Sequence, residues 1–291
     1  MRVVVTGASG FIGSHVTAAL QRVEGIEVLA TGRNEAALRR LGVEWVAMDL
    51  YGDGGDPIQR LAEADLLIHL AWGDVSDATN RVHMTTHLPN NIQFLTDITR
   101  LGVPRICCVG SCFEYGLSSG RLHEGLAPQP STPYGQAKDQ LRRELEATAP
   151  IAGSSLRWLR PFFTHGEGQH PHALFAQLKD AIRRGQDHFP MSGGEQVRDY
   201  LPVSSLAEAI VKASLQREVD GVINICSGKP TTVRTLVEQY IAGSGSSIQP
   251  QLGRFPYPTH TPMECWGDTE KLTAAVDAFD REFTMAPRPT R

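Results

Sequence analysis

The first 160 residues alternate between short apolar runs and longer stretches whose apolar positions recur at three- and four-residue intervals. The first pattern predicts buried strands and the second amphipathic helices. Residues 1–6, 26–31, 43–48, 64–70, 104–109 and 155–160 are the predicted strands. Residues 11–20, 34–41, about 79–101 and a run opening at Gln136 are the predicted helices between them. This alternation specifies an α/β fold with a doubly wound parallel sheet, because parallel neighbours need crossover connections that lie over the sheet faces. After Pro161 the rhythm breaks. Residues 162–172 read as a loop rich in Gly, His and Pro, 173–184 as an amphipathic helix and 193–200 as a polar turn. Residues 204–216 and 232–241 read as helices, 222–226 as a strand, and 243–260 as an irregular Gly-, Ser- and Pro-rich lobe. Residues 286–291 read as a loose tail.

The first strand runs directly into Gly7, Gly10 and Gly13, and a helix follows. Glycines at that seam allow a tight turn and let the backbone approach a pyrophosphate, which the helix N-terminus meets with free N–H groups. An ordinary glycine-rich turn is the alternative, but a strand–turn–helix opening is the context a dinucleotide site requires. The fold expected is therefore a Rossmann-type dinucleotide-binding domain over 1–160. A smaller substrate-binding lobe is expected over 161–291, with about 196–228 returning to the first domain. An NAD site usually carries a carboxylate at the end of the second strand. Here that position reads Ala30-Thr31-Gly32-Arg33-Asn34. Arg33 suits a 2′-phosphate, with Arg39 or Arg40 as helpers, unless it is simply a solvated loop cation. NADP(H) is the preferred cofactor in this reading and NAD(H) the alternative. Asp49, ending the third strand, is placed to accept from an adenine amino group or to cap a turn.

Tyr134 and Lys138 lie four residues apart at the start of a predicted helix, hence on one face. A phenol has a reference pKa of about 10, and a neighbouring ammonium lowers it. Such a pair can move a proton to or from a substrate oxygen. With six tyrosines in the chain, the spacing alone is a common accident.

The ordered set of motifs carries more. TGASGFIG (6–13), Asp49-Leu50, HLAW (69–72), GSCFEYG (110–116), YGQAK (134–138), LRPF and HGEGQ (159–169), RDYLPV (198–203), INICSG (223–228) and WGD (266–268) span nearly the whole chain. In this order they resemble the extended short-chain dehydrogenases/reductases of the NAD-dependent epimerase/dehydratase group. The resemblance implies a catalytic trio of Ser111, Tyr134 and Lys138. It adds Ser9, Phe11, Ile12, Leu50, Leu70, Ala71 and Trp72 to the cofactor site. It implies a nucleotide-diphospho sugar as substrate, with Arg198 on the diphosphate and Cys112, Phe113, Phe163 and His165 around the sugar. The alternative for Arg198 is an ion pair with Asp199 or Glu195. Trp72 and Phe113 either wall the pocket or belong to the core. The family's dehydratases place Asp-Glu after the catalytic hydroxyl residue, where this chain has Cys112 and Phe113, so elimination is not expected. The set looks most like the branch of nucleotide-sugar 4-ketoreductases, which act on NDP-4-keto-6-deoxyhexoses. A 4-epimerase with tightly held NAD is the nearest alternative, and a non-catalytic dinucleotide sensor a more distant one. The resemblance also implies a homodimer packed through helices near 80–101 and 134–148.

Bulk properties narrow the classes further. A formal net charge of −4 with scattered cations gives no reason to expect nucleic-acid or membrane-surface binding. The five cysteines, two of them adjacent, lack metal-type spacing, and the chain enters its first strand without an apolar leader. A cytoplasmic protein with reduced thiols is expected. His165, His170 and His172 read as a polar loop, not a metal site, and His69 as structural.

Overall fold

The computed structural model describes residues 1–50 and 56–289. Strand β1 (Arg2–Thr6) feeds helix α1 (Phe11–Leu20) and is followed by β2 (Glu27–Gly32), α2 (Glu35–Arg39) and β3 (Glu44–Ala47). Next come β4 (Leu66–His69), a π-helical turn (His83–His87), α3 (Leu88–Arg100) and β5 (Arg105–Val109). The chain continues through β6 (Gly120–Leu122), α4 (Pro133–Thr148), β7 (Ser155–Pro161), β8 (Phe163–His165), α5 (Leu174–Arg183) and β9 (His188–Pro190). It then forms β10 (Val197–Arg198), β11 (Tyr200–Pro202), α6 (Val203–Leu215), β12 (Gly221–Ile225) and β13 (Thr231–Thr232). Helix α7 (Val233–Ser244), β14 (Gln249–Gln251), β15 (Glu264–Gly267) and α8 (Glu270–Glu282) complete it.

Seven strands form one parallel sheet in the order β12-β7-β5-β4-β1-β2-β3. Strand order reverses between β1 and β4, so a crevice opens beyond their carboxyl ends, where ligands of such sheets bind. Alternation along β1 sends Val3 and Val5 to one face and Val4 to the other. On the first face Leu20, Ile210 and Phe279 bring α1, α6 and α8 against the sheet. On the second face Leu95, Ile98 and Leu141 do the same for α3 and α4. Both faces are covered, which is why the strands read as unbroken apolar runs.

The second half contributes β12, α6 and α8 to this central layer. Its remainder builds a lobe on α5 and α7 around Phe175, Leu178 and Val237. A four-stranded sheet, β13-β10-β15-β6, is packed through Cys112, Tyr115, Phe162 and Cys265.

Several local expectations change. Residues 162–172 hold β8, which pairs with β11. The turn at 193–200 contains β10, paired with β13 and β15, and the irregular 243–260 contains β14, paired with β9. Strands of two or three residues are too short to show a period in sequence. Helix α8 is absent from the sequence reading. It buries Leu272, Ala275, Ala278 and Phe279, a stripe whose alanines make its apolar signal faint. The tail is tied down, because Ala286 N–H donates to the Arg22 carbonyl and Arg288 reaches Glu208, Ser204 and Ser205. Thr290 and Arg291 of that expected tail lie outside the described residues.

Candidate active site

A cleft of about 430 Å³ opens at the carboxyl ends of β1 and β4. Every residue assigned to the cofactor from sequence, from Gly7 through Arg33, Asp49 and Trp72 to Lys138, lines it. Gly7 has φ +66°, and a Cβ there would stand 2.8 Å from the Ala71 nitrogen. A Cβ on Gly13 would lie 2.1 Å from the Gly7 carbonyl oxygen. The turn therefore closes only as glycine. Helix α1 has no side-chain cap at Gly10 and no acidic residue in its first turn. Its N-terminus keeps its field for an anion, so the cradle fits a dinucleotide pyrophosphate.

Arg33 is exposed at the cleft rim. Its neighbour Asn34 is occupied, capping α2 by accepting from Ala37 N–H. Arg39 is drawn away from the rim by Glu35 and by the Trp45 ring, 4.9 Å from its guanidinium carbon. Of the two proposed helpers, Arg39 is thus already engaged elsewhere.

Ser111 sits at the carboxyl end of β5 and caps a short 3-10 turn, Cys112–Tyr115, by accepting from Phe113 N–H at 3.2 Å. Its own N–H donates to Glu114 at 2.7 Å. Glu114 is fully buried and also accepts from Trp158 Nε1–H at 2.9 Å and Arg160 Nε–H at 2.7 Å. The Arg160 guanidinium carbon lies 4.6 Å from the Tyr115 ring centre, and the Tyr115 hydroxyl donates to Asn224. One polar network thus ties the Ser111 backbone to β7 and β12. Glu114, Trp158 and Arg160 were not singled out in the sequence. The signal was there as a carboxylate three residues beyond Ser111, the spacing of a capping box.

Helix α4 begins where Thr132 accepts from Gly135 N–H and Pro133 takes the first helical position. That start places Tyr134 in the cleft wall, its ring packed against Trp72, His83 and Phe113. The ammonium expected to lower the Tyr134 pKa does not do so. Burial pushes the phenol up; the neighbouring Ser111 side chain opposes this, and the Glu114 carboxylate adds to it. Lys138 shares the helix face, but its Nζ donates to the Val109 carbonyl at 2.9 Å and lies 3.9 Å from the Trp72 ring centre. It stands 6.0 Å from the Tyr134 ring centre.

Burial brings Lys138 down to about 8. The ammonium, which attracts an anionic cofactor, therefore prevails below that value and is lost above it. NADPH affinity is expected to fall by about tenfold or more, the worth of one charged hydrogen bond, between about pH 7 and about pH 9.5. Fluorescence titration checks this, and Lys138→Met should flatten the profile.

On β10, Arg198 is buried and donates to the carbonyls of Val197 and Met263 and to Thr261 Oγ1. It makes no ion pair with Asp199, whose carboxylate accepts from Ser227, Gly228 and Gly267 N–H groups. Glu195 is bonded by Tyr257. Phe163 lies under the Arg198 guanidinium at 5.3 Å and packs against Phe113, which in turn packs against Tyr134. Cys112 is buried beside them, its thiol pushed well up by burial. His165 stands apart, packed on Phe175 and Tyr200, so the trio's immediate surroundings include Phe113 but not His165. His69 joins strands to helix, with Nδ1 on Thr6 Oγ1 and Nε2 on Asn91 Oδ1. Burial holds it down to about 3, so it stays neutral.

The π-helical turn brings in two residues missed in the sequence, His83 and His87, both buried behind Trp72 and Tyr134. A segment read as plain helix gave no sign that both rings would pack behind the cleft wall. All five cysteines are free and buried. Among the described residues no cluster of three or more His, Cys, Asp or Glu is placed to hold a metal ion, and no helix is long and apolar enough to cross a membrane.

Comparison with known proteins agrees with this geometry. The chain is 29% identical over 271 residues to dTDP-6-deoxy-L-talose 4-dehydrogenase (NAD(+)) of Aggregatibacter actinomycetemcomitans, covering 92% of this chain and 99% of that protein. It is 28% identical over 299 residues to dTDP-6-deoxy-L-talose 4-dehydrogenase (NAD(P)(+)) of Kitasatospora kifunensis, covering 96% and 89%. The solved structure of MoeE5 in complex with UDP-glucuronic acid and NAD superposes with a TM-score of 0.80 at 26% identity, over 99% of this chain and 95% of that one. The model of one family, described as the NAD dependent epimerase/dehydratase family, matches residues 3–226. That match covers the turn, the trio and six of the seven sheet strands plus β12, the seventh, and the chain accordingly belongs to the NAD dependent epimerase/dehydratase family.

Proposed function

We propose that this short-chain dehydrogenase/reductase reduces the C4 carbonyl of a nucleotide-diphospho-4-keto-6-deoxyhexose, with NADP(H) preferred. One observation carries the reading: Tyr134 and Lys138, on one face of α4, line the same cleft as the glycine turn, and burial keeps the Tyr134 phenol protonated, able to give a proton to a substrate oxygen. When bound, the nicotinamide supplies the hydride chemistry. Tyr134 delivers its proton to the C4 oxygen, Ser111 aligns that oxygen, and Glu114 fixes the Ser111 backbone. Lys138 keeps a positive charge at the cofactor end of the cleft. Cys112, buried, and Phe113, apolar, offer no acid–base pair for elimination. The names of the two curated relatives support the same sugar chemistry. The reading also carries a cytoplasmic homodimer joined through α3 and α4.

The test is NADPH consumption by the purified protein with dTDP-4-keto-6-deoxyhexoses, monitored by absorbance. Turnover is expected. Absence of NADPH oxidation, with interconversion of UDP-hexoses in the absence of added cofactor, would instead establish a 4-epimerase. That second reading draws on the likeness to the structure holding UDP-glucuronic acid and NAD.

Arg33→Ala separates the cofactors. NADPH affinity is expected to drop about 10- to 100-fold, the worth of a charged contact to a phosphate, with NADH affinity unchanged. Equal effects on both nucleotides would leave Arg33 a solvated loop cation.

A further inference from the structure

The segment joining β4 to α3 holds side chains that the proposed chemistry leaves unused. An ammonium has three donors and tolerates burial only when they are met. Lys138 Nζ has one carbonyl partner, Val109, and the face of the Trp72 indole at 3.9 Å. A cation over an indole within about 6 Å is stabilised by the ring's negative face, most strongly when water is excluded. The indole is itself held. Its Nε1–H donates to His83 Nδ1 at 3.1 Å, and His83 Nε2–H donates to the Asp77 carbonyl at 2.9 Å. These two bonds define one neutral tautomer of His83, and burial lowers its basicity in agreement. His87 packs edge-on to the same indole at 5.9 Å and is bonded to Asp74 at 2.9 Å. His83 also packs on the Tyr134 ring, with centroids 5.1 Å apart.

We infer that Trp72 and His83 are positioning residues: the indole seats and stabilises the Lys138 ammonium, and His83 locks the indole against Tyr134. The π-helical turn is the device that makes this work. Its wider winding brings His83 and His87, four residues apart, against Trp72 from two directions. The inference rests on the proposed role of Lys138 only where cofactor affinity is read.

The test uses cofactor-free protein labelled with 13C at the lysine ε-carbons, with Lys138 assigned by its loss in Lys138→Arg. Trp72→Leu and His83→Leu are each expected to lower the Lys138 pKa by about one unit, equivalent to a buried cation–π contact. Both should weaken NADPH binding by about five- to tenfold. His83→Gln should restore wild-type behaviour in both readouts, because a carboxamide can accept from the indole and donate to Asp77. An unchanged Lys138 pKa in Trp72→Leu overturns the inference, and so does a His83→Gln variant as impaired as His83→Leu. If Trp72→Leu does not fold, the His83 pair decides. If the wild type binds no dinucleotide, the proposed function falls, and the lysine titration still decides this point.

Discussion

Tyr134→Phe will lower kcat by about 10²- to 10⁴-fold, the usual worth of a positioned proton donor. NADPH affinity and melting temperature will stay close to wild type. The substitution removes one oxygen and keeps the ring, which packs against His83, Phe113 and Trp72. Only the phenolic hydroxyl is lost. Lys138 keeps its carbonyl and indole partners, so the cofactor end of the cleft is untouched. Single-turnover kinetics with a 4-keto sugar and NADPH measure the loss in the chemical step. Wild-type turnover by this variant would remove Tyr134 from the mechanism, whatever the substrate.

Glu114→Ala will cost about 3–5 kcal/mol, the price of stranding one partner of a buried ion pair. Arg160 is 1% exposed and would keep its charge with no carboxylate to meet it. Trp158 Nε1–H and Ser111 N–H would lose their acceptor in the same step. At about 2–4 °C per kcal/mol for a chain of this size, the melting temperature should fall by about 10 °C. Thermal and urea unfolding check the stability, and residual activity checks the Ser111 geometry. Adding Arg160→Met should recover part of the loss, because the double variant buries no lone charge. A loss below about 1 kcal/mol in Glu114→Ala would mean that water replaces the carboxylate at little cost.

The first half of the fold was legible because two strong local signals agree there. Unbroken apolar runs mark strands covered on both faces, and Gly7 and Gly13 stand where a Cβ would strike Ala71 or the Gly7 carbonyl. Motif order grouped Ser111, Tyr134 and Lys138, which spacing alone could not do. What escaped depends on partners distant in sequence. Glu114 matters through Trp158 and Arg160, more than forty residues away, and no local pattern announces that they converge. His83 packs behind Trp72 and Tyr134 on a turn that is locally π-wound, which shifts the phase of every side chain in it. The Lys138 effect on Tyr134 was misjudged because helical spacing gives the face shared by two residues but not the burial that sets their protonation. Strands β8, β10 and β14 exist through pairing with remote segments, not through their own composition.

Strand β12 forms one edge of the seven-stranded sheet, beside β7, and α6 and α8 cover the same sheet face as α1. Synthesis proceeds from the N-terminus at about 5–20 residues per second, so the nascent chain finishes β7 several seconds before these covers leave the ribosome. During that interval the Val3 and Val5 face of the sheet lacks the cover of α6 and α8, and the edge of β7 lacks β12. The cofactor half of this enzyme is thus encoded first but completed last, and its safe delivery depends on how quickly the second half arrives.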